Sequence, residues 1–480
     1  MPSNPVRALL LLLSLCLIAP AAHAAALHAG AFTTSITPDQ PVALDGQMTT
    51  RIARTVESEL QANALALESR EGDAVIAQAI FVACDLVAIR QGVREGVQAL
   101  LADRIPDFDN TRLILSATHT HTGPVTEEGK YAVDDPEVMT PTAYVAFLVE
   151  RVADAAEAAW KARRPARAAW GQGHAVVGYN RRSYFADGHA QMYGDLSVDG
   201  FRGIEGPEDH AVEVLFFWDD NDALLATAVN VVCPAQEVES RSAVNADFWH
   251  PVREGLKEKH GQELVVLGWT GAAGDISPHI RYRQAAEDRM RKLRGLDRLD
   301  EIARRILIAW DEALAGAAGE KQADLALAHD VKTLELPERI VTADEVAEAK
   351  AEIEKWSQDP KFSRRVKWHE KVLERYARQQ AGNIQPYITQ VHTLRLGDVA
   401  IATNTFELFA QFGIQMKAKS PAMHTFLIQL CGPGTYVPTP QAAAGGGYSA
   451  VVQSNAVGPE GGQVLVDETV AALKALWPRE

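Results

Sequence analysis

The run from Ala74 to Ile89, AVIAQAIFVACDLVAI, constrains the fold more than any other stretch of the chain. It is apolar and almost unbroken up to Asp85, with β-branched residues throughout, which suits a strand covered on both faces rather than one with a wet side. Helical spacing follows from Gln91 to Ile105. A second strand, Thr111 to Ser116, then ends on Ala117-Thr118-His119-Thr120-His121-Thr122-Gly123-Pro124. Strand, helix, strand and polar loop in that order imply an α/β sheet, and such sheets carry their chemistry on the loops at strand ends.

The pattern continues downstream. Tyr144 to Arg163 has helical spacing and an alanine-rich face, Arg167 to Val177 reads as extended, and Ala211 to Trp218 with Leu224 to Val232 forms a hairpin about Asp219-Asp220-Asn221-Asp222. Pro251 to Lys259 is a short helix with proline in its first turn, and Glu263 to Trp269 is a buried strand that delivers the loop Thr270 to His279. Leu296 to Leu314 is a long amphipathic helix. Thr342 to Gln380 is dense in Glu, Lys and Arg at helical spacing, so an exposed helical pair broken near Asp359-Pro360 is expected at about 340–380. Strands follow at Ile388 to Leu396, Val399 to Thr403 and Thr425 to Leu430, with a helix from Leu408 to Lys419 and a last one from Gly462 to Leu476. With no internal repeat or low-complexity linker, the simplest architecture is one α/β body with mixed sheets.

The first residues have a different purpose. Arg7, the apolar run Ala8 to Ile18 and the small residues Ala22 and Ala24 have the form of a signal peptide cleaved after Ala24, too short to span a bilayer. The mature chain, 25–480, is therefore expected to be periplasmic or secreted, without a membrane anchor. The full sequence's formal charge of −16, barely changed by loss of Arg7, disfavours nucleic acid as a partner. Cys84, Cys233 and Cys431 remain after cleavage, too few for a disulfide scaffold, and at least one of the three is free, metal-bound or paired between chains.

Residues with chemistry are concentrated on the strand-end loops. His119 and His121, two apart on an irregular loop, can aim both imidazoles into one pocket, although such pairs also serve as loop caps bonded to backbone. Gly274-Asp275-Ile276-Ser277-Pro278 offers a serine hydroxyl at a turn, or an Asx turn with no chemistry at all. Glu407 lies between Phe406 and Leu408, where a metal, a helix end or an arginine would satisfy its carboxylate. Tyr436 and Tyr448 stand in a Pro/Gly-rich stretch typical of packing residues and lids.

Taken together, Ser116 to Pro124 (SATHTHTGP) and Gly274 to Pro278 (GDISP) resemble the paired signature motifs of the neutral, non-lysosomal ceramidase family. The resemblance extends over nearly the whole mature chain. It implies the mixed-sheet α/β catalytic domain of that family, with the charged helical excursion as an insertion and without the family's additional C-terminal β-sandwich. It also implies a Zn2+ cofactor held by His119, Glu407 and Tyr436. His121, Arg181, Ser277 and Tyr448 would then act on the substrate. Arg181 follows Asn180 as in the family's motif, with Arg182 as the alternative register. Where the family has a further histidine ligand before a proline, this chain has Cys233-Pro234; Cys233 would replace it as thiolate, with Gln236, Glu237, His250 and His279 as other candidates.

The function implied is an exported zinc-dependent amidohydrolase that cleaves an N-acyl, ceramide-like small molecule or lipid with metal-activated water. The replaced histidine and the missing sandwich leave two alternatives, a metal-dependent hydrolase of a non-lipid ester or amide, and an exported binding protein that has lost catalysis.

Overall fold

A computed structural model describes residues 25–359 and 362–477; the expected signal peptide lies outside them. The chain builds four layers. The largest is an eight-stranded sheet of β1 (Ala26–Ser35), β2 (Gln61–Glu71), β3 (Ala74–Cys84), β4 (Leu113–Ala117), β5 (Arg164–His174), β6 (Ala211–Asp219), β7 (Leu224–Val231) and β8 (Val265–Thr270). Its order is β8-β7-β6-β5-β1-β2-β3-β4. Only the outermost pairs, β3 with β4 and β7 with β8, run parallel. A four-stranded sheet contains β9 (Leu327–Leu336), β10 (Tyr387–Leu396), β11 (Val399–Thr403) and, farther along the chain, His424–Ile428.

Alternation along the strands explains the stacking. Leu65, Leu67, Phe81, Leu215, Phe217, Leu267 and Trp269 of the large sheet meet Leu327, Leu394, Leu396, Ile401, Phe426 and Ile428 of the small one in one apolar cluster. Ala62, Ala64, Ala66, Ile80 and Val82 point the other way, onto α1 (Val93–Arg104) and α2 (Pro141–Lys161). Val212, Val214, Phe216 and Val229 do the same onto α3 (Trp249–His260) and α4 (Arg298–Ala317). The small sheet's outer face, Leu334, Leu336, Val391 and Ala400, is covered by the helices Ala410–Lys419 and Pro459–Ala475. Each large apolar side chain so buried contributes roughly 1.5–3 kcal/mol.

The β3 strand ends at Cys84, short of the expected Ile89, because Asp85 is anchored there by Arg253 and by the Gln61 amide. Leu86–Ile89 then leave the sheet. The charged excursion forms α5 (Ala343–Trp356) and α6 (Ser363–Gln380), packed on each other. It is more than a solvated surface feature, since His369, Val372 and Gln379 are buried and Arg364 reaches the pocket described below.

Between the sheets, His329 Nδ1 is 2.9 Å from the Gln78 carbonyl and its Nε2 is 3.0 Å from His392 Nδ1. Burial lowers the His329 pKa to about 4, and burial followed by His329 lowers that of His392. A depressed imidazole stabilises the fold above its unfolded pKa of about 6.5, and that contribution is lost as pH falls toward the folded value. The stability deficit of His329→Gln relative to the parent should therefore shrink by about 2 kcal/mol between about pH 7.5 and about pH 4.5, as measured by urea unfolding.

Candidate active site

The His119 loop is set by backbone bonds at the end of β4. Thr118 donates its amide to the Cys84 carbonyl at 3.0 Å and His119 donates to Leu86 at 2.9 Å. His119 lies at φ 69°, a left-handed conformation that costs a residue with a β-carbon on the order of 1 kcal/mol, and that turn directs the imidazole inward. Its Nδ1 is 2.6 Å from the Val87 carbonyl, so this nitrogen carries the proton and Nε2 presents a lone pair.

Two groups face that lone pair. His121 Nε2 is 3.2 Å away and Glu407 Oε2 is 3.4 Å away. Glu407 and the following Leu408 pair in parallel with Tyr436 and Val437, in the register Glu407 to Tyr436, and the Tyr436 phenol hydrogen-bonds the Glu407 carboxylate. Burial would raise the Glu407 pKa, but His119, Tyr436 and Arg181 hold it at about 2. Burial and the Glu407 charge push the Tyr436 phenol well above its usual range.

Arg181 arrives by a different route. Tyr179–Asn180 pairs antiparallel with Ile276–Ser277, which lays the GDISP turn against Asn180-Arg181. Arg181 Nη2 donates to the Gly274 carbonyl at 2.9 Å and to the Tyr436 hydroxyl at 3.2 Å, while its Nε is buried without a partner. Arg182 turns away to Glu205 and the carbonyls of Ala442 and Gly446, which separates the two registers. Gly274 itself touches the Glu407 strand: a β-carbon there would lie 2.3 Å from the Glu407 carbonyl oxygen.

His119, His121, Arg181, Glu407, Tyr436 and Tyr448 thus share the wall of one cavity of about 370 Å³. Cys233 and Ser277 are not on that wall. Cys233 packs among Val177, Val231 and Phe248, with its thiol toward the carbonyls of Val177 and Pro234, and burial raises the thiol pKa well above its usual range. A neutral thiol in that setting is a core residue and not the replacement ligand expected from its place before Pro234. Ser277 Oγ accepts from the His279 amide, and Asp275 accepts from the Ala410 amide and from Asn180, so the GDISP motif acts here as a brace. Gln236 bonds Tyr193, and Glu237 pairs with Arg298.

A residue passed over in the sequence, Glu239, stands in the cavity instead. Its Oε2 is 3.1 Å from His121 Nδ1, at an angle short of a formed hydrogen bond, and His279 is 3.8 Å from its other oxygen. Burial opposes ionisation of Glu239, yet His121 and His279 bring its pKa to about 2. The only clue in the sequence was its place three residues beyond Gln236 on the same loop.

No three His, Cys, Asp or Glu side chains among the described residues already surround one point as ligands. The donor chemistry nonetheless fits a cation. Neutral His121 has a single N–H, while both of its nitrogens face acceptors, the Glu239 carboxylate and the His119 lone pair. Burial disfavours the imidazolium that would satisfy both. A metal beside His119 and Glu407, with Tyr436 as an oxygen donor, would take up the His119 lone pair and resolve the conflict, and the 3.4 Å between His119 Nε2 and Glu407 Oε2 is close to the roughly 3.3 Å edge of a tetrahedral site with bonds of about 2.0–2.1 Å.

No family model and no curated protein matches the chain. Solved structures do. A neutral ceramidase from Pseudomonas aeruginosa superposes with a TM-score of 0.68 at 18% identity, covering 95% of this chain and 76% of that one. A ceramidase complexed with C2 gives 0.65 at 17%, again covering 95% and 76%. The likeness is one of fold, the mixed α/β architecture with its large mixed sheet.

Proposed function

We propose that the chain is an exported, zinc-dependent hydrolase that cleaves the amide bond of an N-acyl substrate. The observation that carries this reading is the convergence of His119, Glu407, Tyr436, His121 and Arg181 on one cavity from four distant parts of the sequence. The ceramidase fold supports an acyl amide as the bond attacked.

His119, Glu407 and Tyr436 would hold the metal. When bound, zinc supplies Lewis-acid polarisation of an acyl carbonyl and lowers the pKa of water toward neutrality. His121 would take a proton from the attacking water and return it to the leaving amine, with Glu239 orienting the ring and stabilising the imidazolium that forms, as the carboxylate does in acyl-transfer triads. The unpartnered Arg181 Nε, together with the Tyr448 hydroxyl, can donate to the developing oxyanion. Ser277 is assigned a positioning role through the His279 turn.

Chelation followed by zinc replenishment should abolish and restore turnover of an N-acyl amide. A chelated protein that keeps full activity would exclude the reading. Glu239→Gln should retain the metal and lose about 10- to 100-fold in kcat with little change in KM, as expected for a group acting through His121. Turnover of any acyl substrate that is lost in Glu407→Gln would exclude the alternative of a binding protein. No helix among the described residues is long and apolar enough to cross a membrane.

A further inference from the structure

Beside His121, the cavity wall is cationic. Asp45, Gly46, Arg90, Lys130 and Arg364 line it, and Gly46, at φ 97°, lies so close that a β-carbon there would be 2.4 Å from His121 Cγ. Arg51 ties the two walls together by donating to the carbonyls of His121 at 2.5 Å and Asp45 at 2.7 Å. The cationic wall is therefore within one residue of the reacting centre.

Asp45 accounts for only part of the positive charge. Lys130 Nζ binds its carboxylate at 2.7 Å, leaving Arg90 3.9 Å away as a distant second partner. Arg90 donates no side-chain hydrogen bond to any other described residue, and its Nε is buried with no partner. Arg364, from α6, donates to the Gln47 carbonyl and the Tyr131 hydroxyl, neither of which carries a countercharge. Around the cavity, four cations (Arg90, Lys130, Arg181, Arg364) face three carboxylates (Asp45, Glu239, Glu407), an excess of one positive charge with the histidines neutral, in a chain whose net charge is −16. A divalent ion would add two more. Burial, with Arg90 and Arg364 nearby, holds Lys130 at about 8 despite its Asp45 partner.

We infer that the substrate carries an anionic group, carboxylate or phosphoryl, next to the scissile acyl bond, and that Arg90, with Arg364 beside it, receives that group. This rests on the hydrolase reading for the bond that is cut, but not for the binding. An uncharged lipid filling the cavity would cover Arg90 without pairing it, whereas an acid of the N-acyl amino-acid type would meet it in a charge-assisted, two-pronged contact. A positive cleft in an acidic protein also concentrates anions at its mouth.

The test is calorimetric binding to the zinc-loaded protein of N-hexanoylglycine, N-hexanoyl-aminomethylphosphonate and the methyl ester of N-hexanoylglycine. At least one acid should bind on the order of 10- to 100-fold more tightly than the ester, the preferred acid identifying the anion. That preference should collapse in Arg90→Gln and return in part in Arg90→Lys. Equal binding of acids and ester, or a preference unchanged in Arg90→Gln, overturns the inference. If the glutamine variant does not fold, the acid-to-ester ratio of the parent protein and of Arg90→Lys decides. Turnover of the same compounds separates the two readings. Preferential binding without cleavage removes the hydrolase and keeps the anion site, while equal cleavage of acid and ester with equal affinity does the reverse.

Discussion

Exchanging His119 for alanine is expected to yield a folded chain that retains no zinc and turns over its substrate on the order of 10³-fold more slowly. The fold should survive because the loop is fixed by backbone bonds, Thr118 to Cys84 and His119 to Leu86, which alanine keeps. The lost contact from Nδ1 to the Val87 carbonyl is worth about 1 kcal/mol, and alanine meets the same left-handed strain at φ 69°. Metal affinity has no such reserve, since His119 Nε2 is the point from which His121 and Glu407 are both within 3.4 Å. Elemental analysis, thermal unfolding and single-turnover kinetics on one preparation check the three parts. A variant that still copurifies with one equivalent of zinc would sink the assignment. His121→Ala is the necessary companion: retained zinc with lost turnover makes it the proton carrier, whereas lost zinc makes it a ligand.

The sequence was most legible where one strand carried one burial signal. Ala77 to Cys84 and the strand before His119 are apolar because layers cover them on both sides, and that burial is legible in composition alone. Three other strands gave no such signal. In β2, QANALALESRE, small alanines face the helices while leucines face the second sheet, so its composition reads as helix although its surroundings make it a strand. The opening strand β1 and the polar β9 were missed for the same reason, their periodicity being masked by residues suited to two different layers.

Within the site, the family resemblance nominated residues that the fold then gathered, but proximity in sequence misled twice. Cys233 occupies the position before proline where a ligand was expected, yet the backbone there turns its thiol into the core. Ser277 belongs to a conspicuous motif whose work is to brace Glu407 and Arg181 through Gly274 and Asp275. Glu239 and Arg90 carried no motif. Their significance is a matter of charge brought together by distant segments, which no local pattern encodes.

The largest loss of stability should come from a residue outside the cavity, with Arg253→Met costing about 3–5 kcal/mol. Arg253 on α3 and Asp85 at the end of β3 are both fully buried and joined by two bonds, 2.6 Å from Nη1 and 2.9 Å from Nη2. Removing the guanidinium leaves Asp85 with two neutral donors, the Gln61 amide at 2.8 Å and the Thr118 hydroxyl at 3.1 Å, which is too little for a carboxylate shut off from water. Because Asp85 is where the chain leaves the sheet to present the Leu86 and Val87 carbonyls to His119, activity should fall with stability and not independently of it. Denaturant midpoints of Arg253→Met, Asp85→Asn and the double variant separate two explanations. If the pair's value lies in mutual compensation, the double variant should recover much of the loss. If Asp85 is needed chiefly to hold Thr118 and the strand end, the double variant should remain as unstable as the worse single one, and its zinc content should fall with it.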